Sequence, residues 1–491
     1  MTARLRPLTQ YALVAGPLLS MLDSSIVNVA VEPISRALHA SLTSVQWAVS
    51  GYLLALGAGL AATAYLARRF GTLPVYRASV VGFTAASCLC ALAPSVDVLV
   101  GARVLQGLVA APLVPLAMSM LLGGSGGSRA MSPLAGMLLF LGPAIGPTVG
   151  GALIGVGGWR SIFLINVPFG VVAAVSVRFV PASLAPGPVP GARFDLPGLV
   201  LLAAALITLL FGASEGASSG FGTVAAWFPL LAGATLACFY VLWSRRRDQP
   251  ALDLSLVRQW VPALSMALCA LASIVTWAAL FLLPVFVQSV QGRGALAAGL
   301  AMAPQGVITG LSTALLGPRL LPRFTIRLTV LAGFAVLAGT SAGLLLVGAG
   351  TPLWAIAVIL ACRSVSIGLI INPLLQALTQ ALHPDQLGDA NTLFSVWQRV
   401  AGSFGIGVIT ALYTTQAQRR GPVTALHQAA LIIVAIAVLG AVASLALPRI
   451  RNTAVARLRP DRLWCGAVRL SSSEQDPFRR PCHPFRWDGS G

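Results

Sequence analysis

The chain has 491 residues, of which 57% are hydrophobic and only 9% are charged, whereas a soluble domain carries about 25% charged residues. Its formal net charge is +19, and all 32 of its basic residues are arginines. So few charges cannot cover a water-facing surface, which excludes a soluble enzyme, and arginines scattered between apolar runs argue against a nucleic-acid partner.

Apolar runs of about 20 residues, the length that crosses a bilayer as a helix, recur fourteen times along the chain. We therefore predict an all-α integral membrane protein with fourteen transmembrane helices. Only the glycine-rich stretch 123–128 separates the fourth run from the fifth. The predicted spans are 11–31, 46–66, 76–94, 98–122, 132–155, 162–180, 196–213, 225–243, 261–286, 296–317, 327–348, 353–375, 393–413 and 424–447.

The arginines predict the orientation of these spans. An even number of spans places both termini on one side of the membrane. If that side is cytoplasmic, the inner loops hold fifteen arginines and the outer loops hold five. Because short cytoplasmic loops are enriched in basic residues, we expect both termini in the cytoplasm.

The first span contains Asp23 near its middle. A carboxylate at the centre of a span costs about 2.5–3.5 kcal/mol on insertion, so an intramembrane acid is a functional hypothesis by default. We expect Asp23 to bind and release a proton, with a structural aspartate bonded to neighbouring helices as the alternative. The run follows Arg4 and Arg6, but its length and the many later spans disfavour a cleaved signal peptide.

The fourth span contains Arg103, with Gln106 one turn later on the same helix face. A guanidinium inside a span must face the bundle interior or a water-filled cavity. We favour a functional role for Arg103 beside Asp23. Pairing of the guanidinium with backbone carbonyls is the structural alternative.

The fifth span is rich in glycine and proline, reading GPAIGPTVGG over 142–151. Small residues four apart allow another helix to approach closely, and proline removes a backbone hydrogen bond and can bend the helix. The pattern favours a pivot or a tight seal between helices, with a static packing face as the alternative. Its members are Gly142, Pro143, Gly146, Pro147, Gly150 and Gly151.

The later spans contain two further arginines, Arg363 and Arg399, which are candidates for a second polar site or for structural pairing with backbone carbonyls. Two acids, Glu32 and Glu215, lie near the outer ends of spans, where we expect solvated side chains. The seven cysteines and four histidines form no metal-ligand spacing. Without lysine there is no phosphate-binding loop. We therefore expect no cofactor and no metal, and either an ion gradient or the substrate's own gradient as the energy source.

The sequence pattern predicts an internal duplication, with chance recurrence of arginine and leucine in this biased composition as the alternative. Leu66, Arg69 and Phe70, after the second span, recur as Leu320, Arg323 and Phe324 after the tenth, and Arg103 recurs as Arg363. Parallel repeats are a common plan of transporters, with the substrate site between the halves. We predict a cytoplasmic N-tail, a six-helix bundle, a two-helix insert with its loops, a second six-helix bundle and a basic, disordered cytoplasmic tail. Their bounds are 1–10, 11–180, 181–260, 261–447 and 448–491.

Five motifs, in this order, resemble the major facilitator superfamily, and more narrowly its fourteen-span drug:proton antiporters. The resemblance covers about residues 10–447. It also includes FDLPG (194–198) and LPVFVQ (283–288). The motifs are LDSSIVNVAV (22–31), QWAVSGYLL (46–54), RVLQG (103–107), GPAIGPTVGG (142–151) and WRSIFLINVPFG (159–170).

The resemblance implies roles for residues already singled out. Asp23 matches the acidic position associated with coupling to protons or cationic substrates, and Arg103 matches the arginine associated with proton transfer. The glycines and prolines of 142–151 match the motif typical of antiporters, which favours export over uptake.

The loop after the second span departs from the family pattern. The family usually has Gly-x-Leu-Ala-Asp-Arg-x-Gly-Arg, thought to latch the cytoplasmic side through charge pairs. Here Arg68 replaces the acid, Arg69 and Gly71 are retained, and Thr72 replaces the last arginine. The resemblance therefore does not extend to the latch, and this loop is a degenerate gating loop.

These features predict a proton-coupled exporter of a small amphiphilic compound in a bacterial cell membrane. In this hypothesis, protonation of Asp23 from outside competes with substrate, and Arg103 assists release of the proton inward. The expected partners are the small-molecule substrate, protons and the lipid bilayer, with a monomeric chain. A nutrient symporter or uniporter on the same fold and a non-transporting paralogue are the alternatives.

Overall fold

The computed structural model describes residues 7–122, 133–184, 187–188, 195–220, 222–247, 250, 254–312, 324–382 and 387–449. The glycine-rich stretch 123–128, the repeat residues Leu320 and Arg323, and nearly all of the predicted tail therefore lie outside the described residues. So do the first six residues of the predicted N-tail.

The regular structure of these ranges is helical. Short 3-10 helices follow α8 and α13. The helices are α1 (Pro7–Ala37), α2 (Leu42–Phe70), α3 (Thr72–Ala91), α4 (Val96–Ala110), α5 (Leu113–Leu122), α6 (Pro133–Gly157), α7 (Ser161–Leu164), α8 (Asn166–Ser176), α9 (Leu196–Ser219), α10 (Val224–Ser244), α11 (Trp260–Ser289), α12 (Ala295–Leu311), α13 (Ile326–Ala342), α14 (Leu353–Gln380), α15 (Leu387–Arg420) and α16 (Pro422–Ser444).

Every predicted span overlaps a helix or a pair of helices. The fourth span is divided between α4 and α5 at Pro112, which has no N–H to continue the helix, and the sixth between α7 and α8. Within the described residues, eleven helices are long and apolar enough to cross a membrane, alongside the shorter apolar helices Ile145–Gly157 and Ala295–Leu311. The fold class is confirmed, and the number of fourteen membrane crossings stays a prediction.

Three helix pairs join the N-terminal part of the chain to its C-terminal part. The Ser403 hydroxyl on α15 donates to the Ser50 carbonyl on α2 at 2.8 Å, and Thr148 on α6 donates to the Gly299 carbonyl on α12 at 3.2 Å. The Gln288 amide on α11 donates to the Val29 carbonyl on α1 at 3.0 Å.

The predicted duplication relates these three helix pairs to one another. Replacing each helix by its counterpart turns the α2–α15 contact into the α12–α6 contact and leaves α1 against α11. Two repeats related by an axis along the membrane normal would give this pattern. The α9 helix of the predicted insert packs on α2 and α15. The bounds of the halves and the insert stay predictions.

Close packing of α2 on α4 positions the helix that carries Arg103. A Cβ atom added to Gly107 would lie 2.5 Å from the carbonyl oxygen of Tyr52, and one added to Gly59 would lie 2.7 Å from the Ala111 side chain. Only glycine allows this approach. As a result, the Arg103 side chain, one turn before Gly107, reaches the backbone of α2.

Candidate functional site

Asp23 on α1 and Arg103 on α4 form a buried ion pair. The Arg103 Nη1 atom lies 2.5 Å from Asp23 Oδ2, and each side chain is 1% exposed. Taking two charges out of water is costly, and their attraction offsets that cost only if further hydrogen bonds satisfy their remaining polar atoms. The surroundings of the pair supply such bonds.

Three neutral polar side chains complete the network. Gln106 accepts from Arg103 Nη1 at 2.7 Å and donates to Asp23 Oδ1 at 3.3 Å. Asn166 donates to the same Asp23 oxygen at 2.8 Å. The Ser87 hydroxyl oxygen accepts from Gln106 at 2.7 Å and from Asn166 at 3.3 Å. Both carboxylate oxygens of Asp23 are therefore hydrogen-bonded.

The guanidinium of Arg103 is also held by α2 and α7. Its Nε donates to the Ala48 carbonyl at 3.1 Å. Its central carbon lies 4.0 Å from the centre of the Tyr52 ring and 5.7 Å from that of Phe163, within the range of cation–π attraction. The Tyr52 hydroxyl in turn bonds the Ser20 hydroxyl on α1 at 3.2 Å.

Four helices carry the hydrogen-bonded side chains of this network. Asp23 lies on α1, Ser87 on α3, and Arg103 and Gln106 one turn apart on α4. Asn166 begins α8, directly after the break that follows α7. Because Gly170 on α8 lies against the Thr84 side chain of α3, the start of α8 comes close enough for the Asn166 amide to reach Asp23.

The two second-half arginines are not brought into this network. Arg363 is 3% exposed; its Nη1 donates to the Ser341 hydroxyl at 3.1 Å, and its Nη2 donates to the Val275 carbonyl. Arg399, on α15, lines a cavity together with residues of α1, α2 and α5. The idea of one shared second-half polar site therefore gains no support from their positions.

The glycines of the fifth span allow α6 to pack closely on two other helices, α1 and α12. Gly146 faces the Ser25 side chain and Gly150 faces Ile26, both on α1. A Cβ atom added to Gly151 would lie 2.5 Å from the Ala295 carbonyl oxygen of α12. The carbonyl of Pro147 lies against Gly299, also on α12. The contacts of Gly142 and Pro143, near the middle of α6, lie outside the described side chains.

The degenerate loop residues lie at the end of α2. Arg68 and Arg69 are exposed in its last turn. Gly71 has a φ of 89°, in the left-handed region that favours glycine, and its N–H donates to the Ala67 carbonyl at 2.9 Å. The structure therefore explains the glycine, while the gating role of the loop stays a prediction.

The expectation that Glu32 is solvated was wrong. The residue is 9% exposed, and its carboxylate accepts from Arg36 Nε at 2.9 Å. The helix continues to Ala37, beyond the predicted end of the first span. Glu32 therefore lies on a packed helix face, with Arg36 one turn away. Glu215 accepts from the Ser219 hydroxyl at 2.7 Å.

Sequence reasoning missed Ser87, Asn166 and Tyr52. Asn166 lies in the motif WRSIFLINVPFG and Tyr52 in QWAVSGYLL, so both were within recognised motifs without being singled out. Neutral polar residues inside apolar runs are the signal that could have identified them. A buried ion pair needs such neighbours to satisfy its remaining hydrogen-bonding groups.

The sequence matches known proteins over most of its length. The sequence model of the Major Facilitator Superfamily matches residues 13–406. The chain is 31% identical over 422 residues to "Multidrug resistance protein B homolog" of Mycobacterium tuberculosis, covering 82% of this chain and 75% of the relative.

Two further relatives are similar in extent. "Methylenomycin A resistance protein" of Streptomyces coelicolor is 29% identical, with 81% of this chain and 84% of the relative covered. "Multidrug export protein EmrB" of Escherichia coli is 29% identical, with 82% and 80% covered. A crystal structure of a mutant of the nucleoside transporter NupG has a TM-score of 0.61 at 13% identity and covers 90% of this chain and 99% of its own. That likeness supports the fold alone.

Proposed function

The chain belongs to the major facilitator superfamily of membrane transporters, and we propose that it exports a small amphiphilic compound in exchange for protons. The buried Asp23–Arg103 pair is the observation on which this proposal rests. The names of the relatives, which refer to multidrug resistance, multidrug export and resistance to methylenomycin A, support export as the direction.

Protonation of Asp23 gives the pair two states. In the charged state, Asp23 accepts from Arg103, Gln106 and Asn166. A proton on the carboxylate removes the charge that holds Arg103, while Gln106 Oε1 and the Ala48 carbonyl remain as its acceptors. A single proton therefore changes how strongly α1 is held to α4.

We propose that these two states favour opposite openings of the transporter. The α6 helix contacts α1 at Gly146 and Gly150 and α12 at Gly151. A shift of α1 against α4 would therefore reach the boundary with the second half. A ligand can shift a conformational equilibrium only by its differential affinity for the two states, and the proton at Asp23 would supply that difference.

The proposal includes the setting of the protein. We place it in a bacterial cell membrane, as a monomer with both termini in the cytoplasm. The organisms of the relatives support a bacterial membrane. The excess of arginines in alternate loops supports the orientation.

The experiment is an accumulation screen in an efflux-deficient bacterial host that expresses the full chain. We expect lower accumulation of at least one amphiphilic antibiotic or dye, and loss of this effect when an uncoupler is added. Asp23→Asn should abolish the effect with normal amounts of protein in the membrane. Asp97→Asn is the matched control, because Asp97 is an exposed aspartate in the first turn of α4.

Efflux that survives Asp23→Asn would contradict the proposal. Accumulation above that of the empty host would favour the uptake alternative on the same fold. Unchanged accumulation across the whole screen would favour the non-transporting alternative.

A further inference from the structure

A cavity of about 220 Å³ lies between helices from the two ends of the chain. One part of its wall consists of Ser20 of α1, Leu56 and Leu60 of α2, and Ala110, Ala111, Val114 and Pro115 around the junction of α4 and α5. Asn391, Thr392, Ser395 and Arg399 of α15 form the other part. The wall is therefore apolar on the α2 side and polar on the α15 side.

The charge of this cavity has one sign. Arg399 is the ionisable residue among its lining residues in the described part of the chain, and the lining contains no carboxylate. The nearest acid in sequence on the same helix, Asp389, is ten residues away, or about 15 Å along an α-helix. A charge within a membrane-spanning bundle requires a partner or a watery cavity, and the described protein provides Arg399 with a cavity.

Asp23 does not serve as that partner. Its oxygens accept from Arg103, Gln106 and Asn166, so its charge is compensated within the first-half bundle. A cationic compound entering the cavity would meet Arg399 and find no carboxylate in the lining. An anionic compound would meet a guanidinium that no carboxylate of the described lining compensates, and the planar set of donors of a guanidinium suits a carboxylate.

We propose that this cavity binds an amphiphile bearing a carboxylate, with Arg399 as its counter-charge. Ser395 and Asn391 provide neutral hydrogen-bonding groups beside the guanidinium, and Leu56 and Leu60 contact the apolar part of the compound. This proposal rests on the proposed export function and names the class of its substrate. Such a ligand fills the role that a carboxylate of the protein would otherwise have.

Ser20 links the cavity to the proton-binding network. It lines the cavity and bonds the hydroxyl of Tyr52, whose ring lies 4.0 Å from the Arg103 guanidinium. In this proposal the carboxylate of the substrate faces Arg399, whereas the proton binds at Asp23. The proton and the substrate therefore influence each other through α1 and α2 and not through a shared atom.

The test is equilibrium binding of matched radiolabelled probes to the purified full chain, without a pH gradient. Common small-molecule pockets have volumes of about 300–1,000 Å³, so the probes are small: 4-phenylbutanoate, 4-phenylbutanamide and 4-phenylbutylamine, and the corresponding naphthyl set. We expect each carboxylate to bind about tenfold or more tightly than its amide and amine, because hydrogen bonds to a charged group are the strong ones.

Arg399 variants test the assignment to this residue. Arg399→Gln should abolish the preference for the carboxylate, Arg399→Lys should retain much of it, and Arg258→Gln, at an exposed arginine outside the cavity, should leave it unchanged. Val114→Asp adds a carboxylate to the lining at similar volume and should shift the preference toward the amine. Val114→Asp keeps the test decisive if Arg399→Gln fails to fold.

Equal binding of the three probes, a preference for the amine, no binding of any carboxylate, or a carboxylate preference that persists in Arg399→Gln would each overturn the proposal. Proton-driven flux of the same probes in proteoliposomes tests the export function separately. Carboxylate binding without such flux would support the carboxylate site and contradict the export function. Proton-driven flux of the amines alone would support the export function and contradict the carboxylate site.

Discussion

Two buried arginines, Arg103 on α4 and Arg363 on α14, lie in corresponding helices of the predicted halves but have different surroundings. Arg103 is paired with Asp23 and bonded to Gln106. Arg363 donates to the Ser341 hydroxyl and to the Val275 carbonyl, and in the described part of the chain no carboxylate contacts it.

The difference follows from α1 and α11, which are counterparts in the predicted duplication. The α1 helix contains Asp23, whereas the sequence of α11, Trp260–Ser289, contains no acidic residue. The corresponding helices of the predicted halves therefore each carry a buried arginine, but in the described residues only Arg103 is paired with a carboxylate. We propose that proton coupling belongs to the first half and that Arg363 has a structural role.

The largest expected effect is on the stability of the first-half pair. Arg103→Met leaves Asp23 buried and uncompensated, so the free energy of unfolding should fall by about 3–5 kcal/mol. Denaturation of the purified chain by sodium dodecyl sulfate measures this loss.

Arg363→Met is the comparison for that variant. It leaves a hydroxyl and a backbone carbonyl without their donor, which is unfavourable, but it also removes the cost of keeping a charge out of water. Because these two effects oppose each other, we expect the free energy of unfolding to change by no more than about 1 kcal/mol. Equal losses of stability in the two variants would contradict the distinction between the halves.

The next largest effect is expected where α6 packs on α1. A methyl group at Gly146 would overlap the Ser25 side chain of α1, and overpacking costs about 1–3 kcal/mol. Gly146→Ala should therefore lower both stability and transport rate. Gly101→Ala on α4 is the control, because the space there is open and alanine is favoured over glycine in a helix by about 0.5–1 kcal/mol. Unchanged transport in Gly146→Ala would contradict a role for this contact.

Two serine variants compare the networks directly. Ser87 accepts from Gln106 and Asn166, and Ser341 accepts from Arg363, so Ser87→Ala and Ser341→Ala should each cost about 1–3 kcal/mol. Only Ser87→Ala should also slow proton-driven transport by several-fold, measured in proteoliposomes. Similar transport defects in both variants would place the second-half arginine in the coupling step.

The smallest effect on stability is expected at Arg68. Restoring the family's acid there with Arg68→Asp changes an exposed side chain, and stability should change by no more than about 0.5 kcal/mol. A faster transport rate would indicate that the loop acts as a latch. An unchanged rate would indicate that this transporter functions without the charge pair of the family.

The sequence predicted the fold class and the two charged members of the site for clear physical reasons. Apolar runs long enough to cross a bilayer left few alternatives to a helical membrane protein, and Asp23 and Arg103 stood out because charges inside such runs are costly. It suggested that the two side chains act together, but 80 residues separate them, so it could not predict which of their atoms meet. It also could not predict the break before Asn166 that brings the amide to Asp23.

The error at Glu32 has a related origin. A run of apolar residues marks where a helix is hydrophobic but not where it ends, and α1 continues to Ala37. Because the helix continues, one face of its C-terminal end remains packed and Glu32 is buried. Burial at helix ends depends on neighbouring helices, which a single span does not reveal.

The central claim is that Asp23 couples export to protons, and reconstituted transport with two driving forces tests it most directly. With a compound identified by the accumulation screen, proteoliposomes containing the wild type or Asp97→Asn should show efflux accelerated by a pH gradient and also exchange of substrate for substrate. Asp23→Asn should lose the acceleration and retain the exchange. Acceleration by the pH gradient that persists in Asp23→Asn would contradict the account.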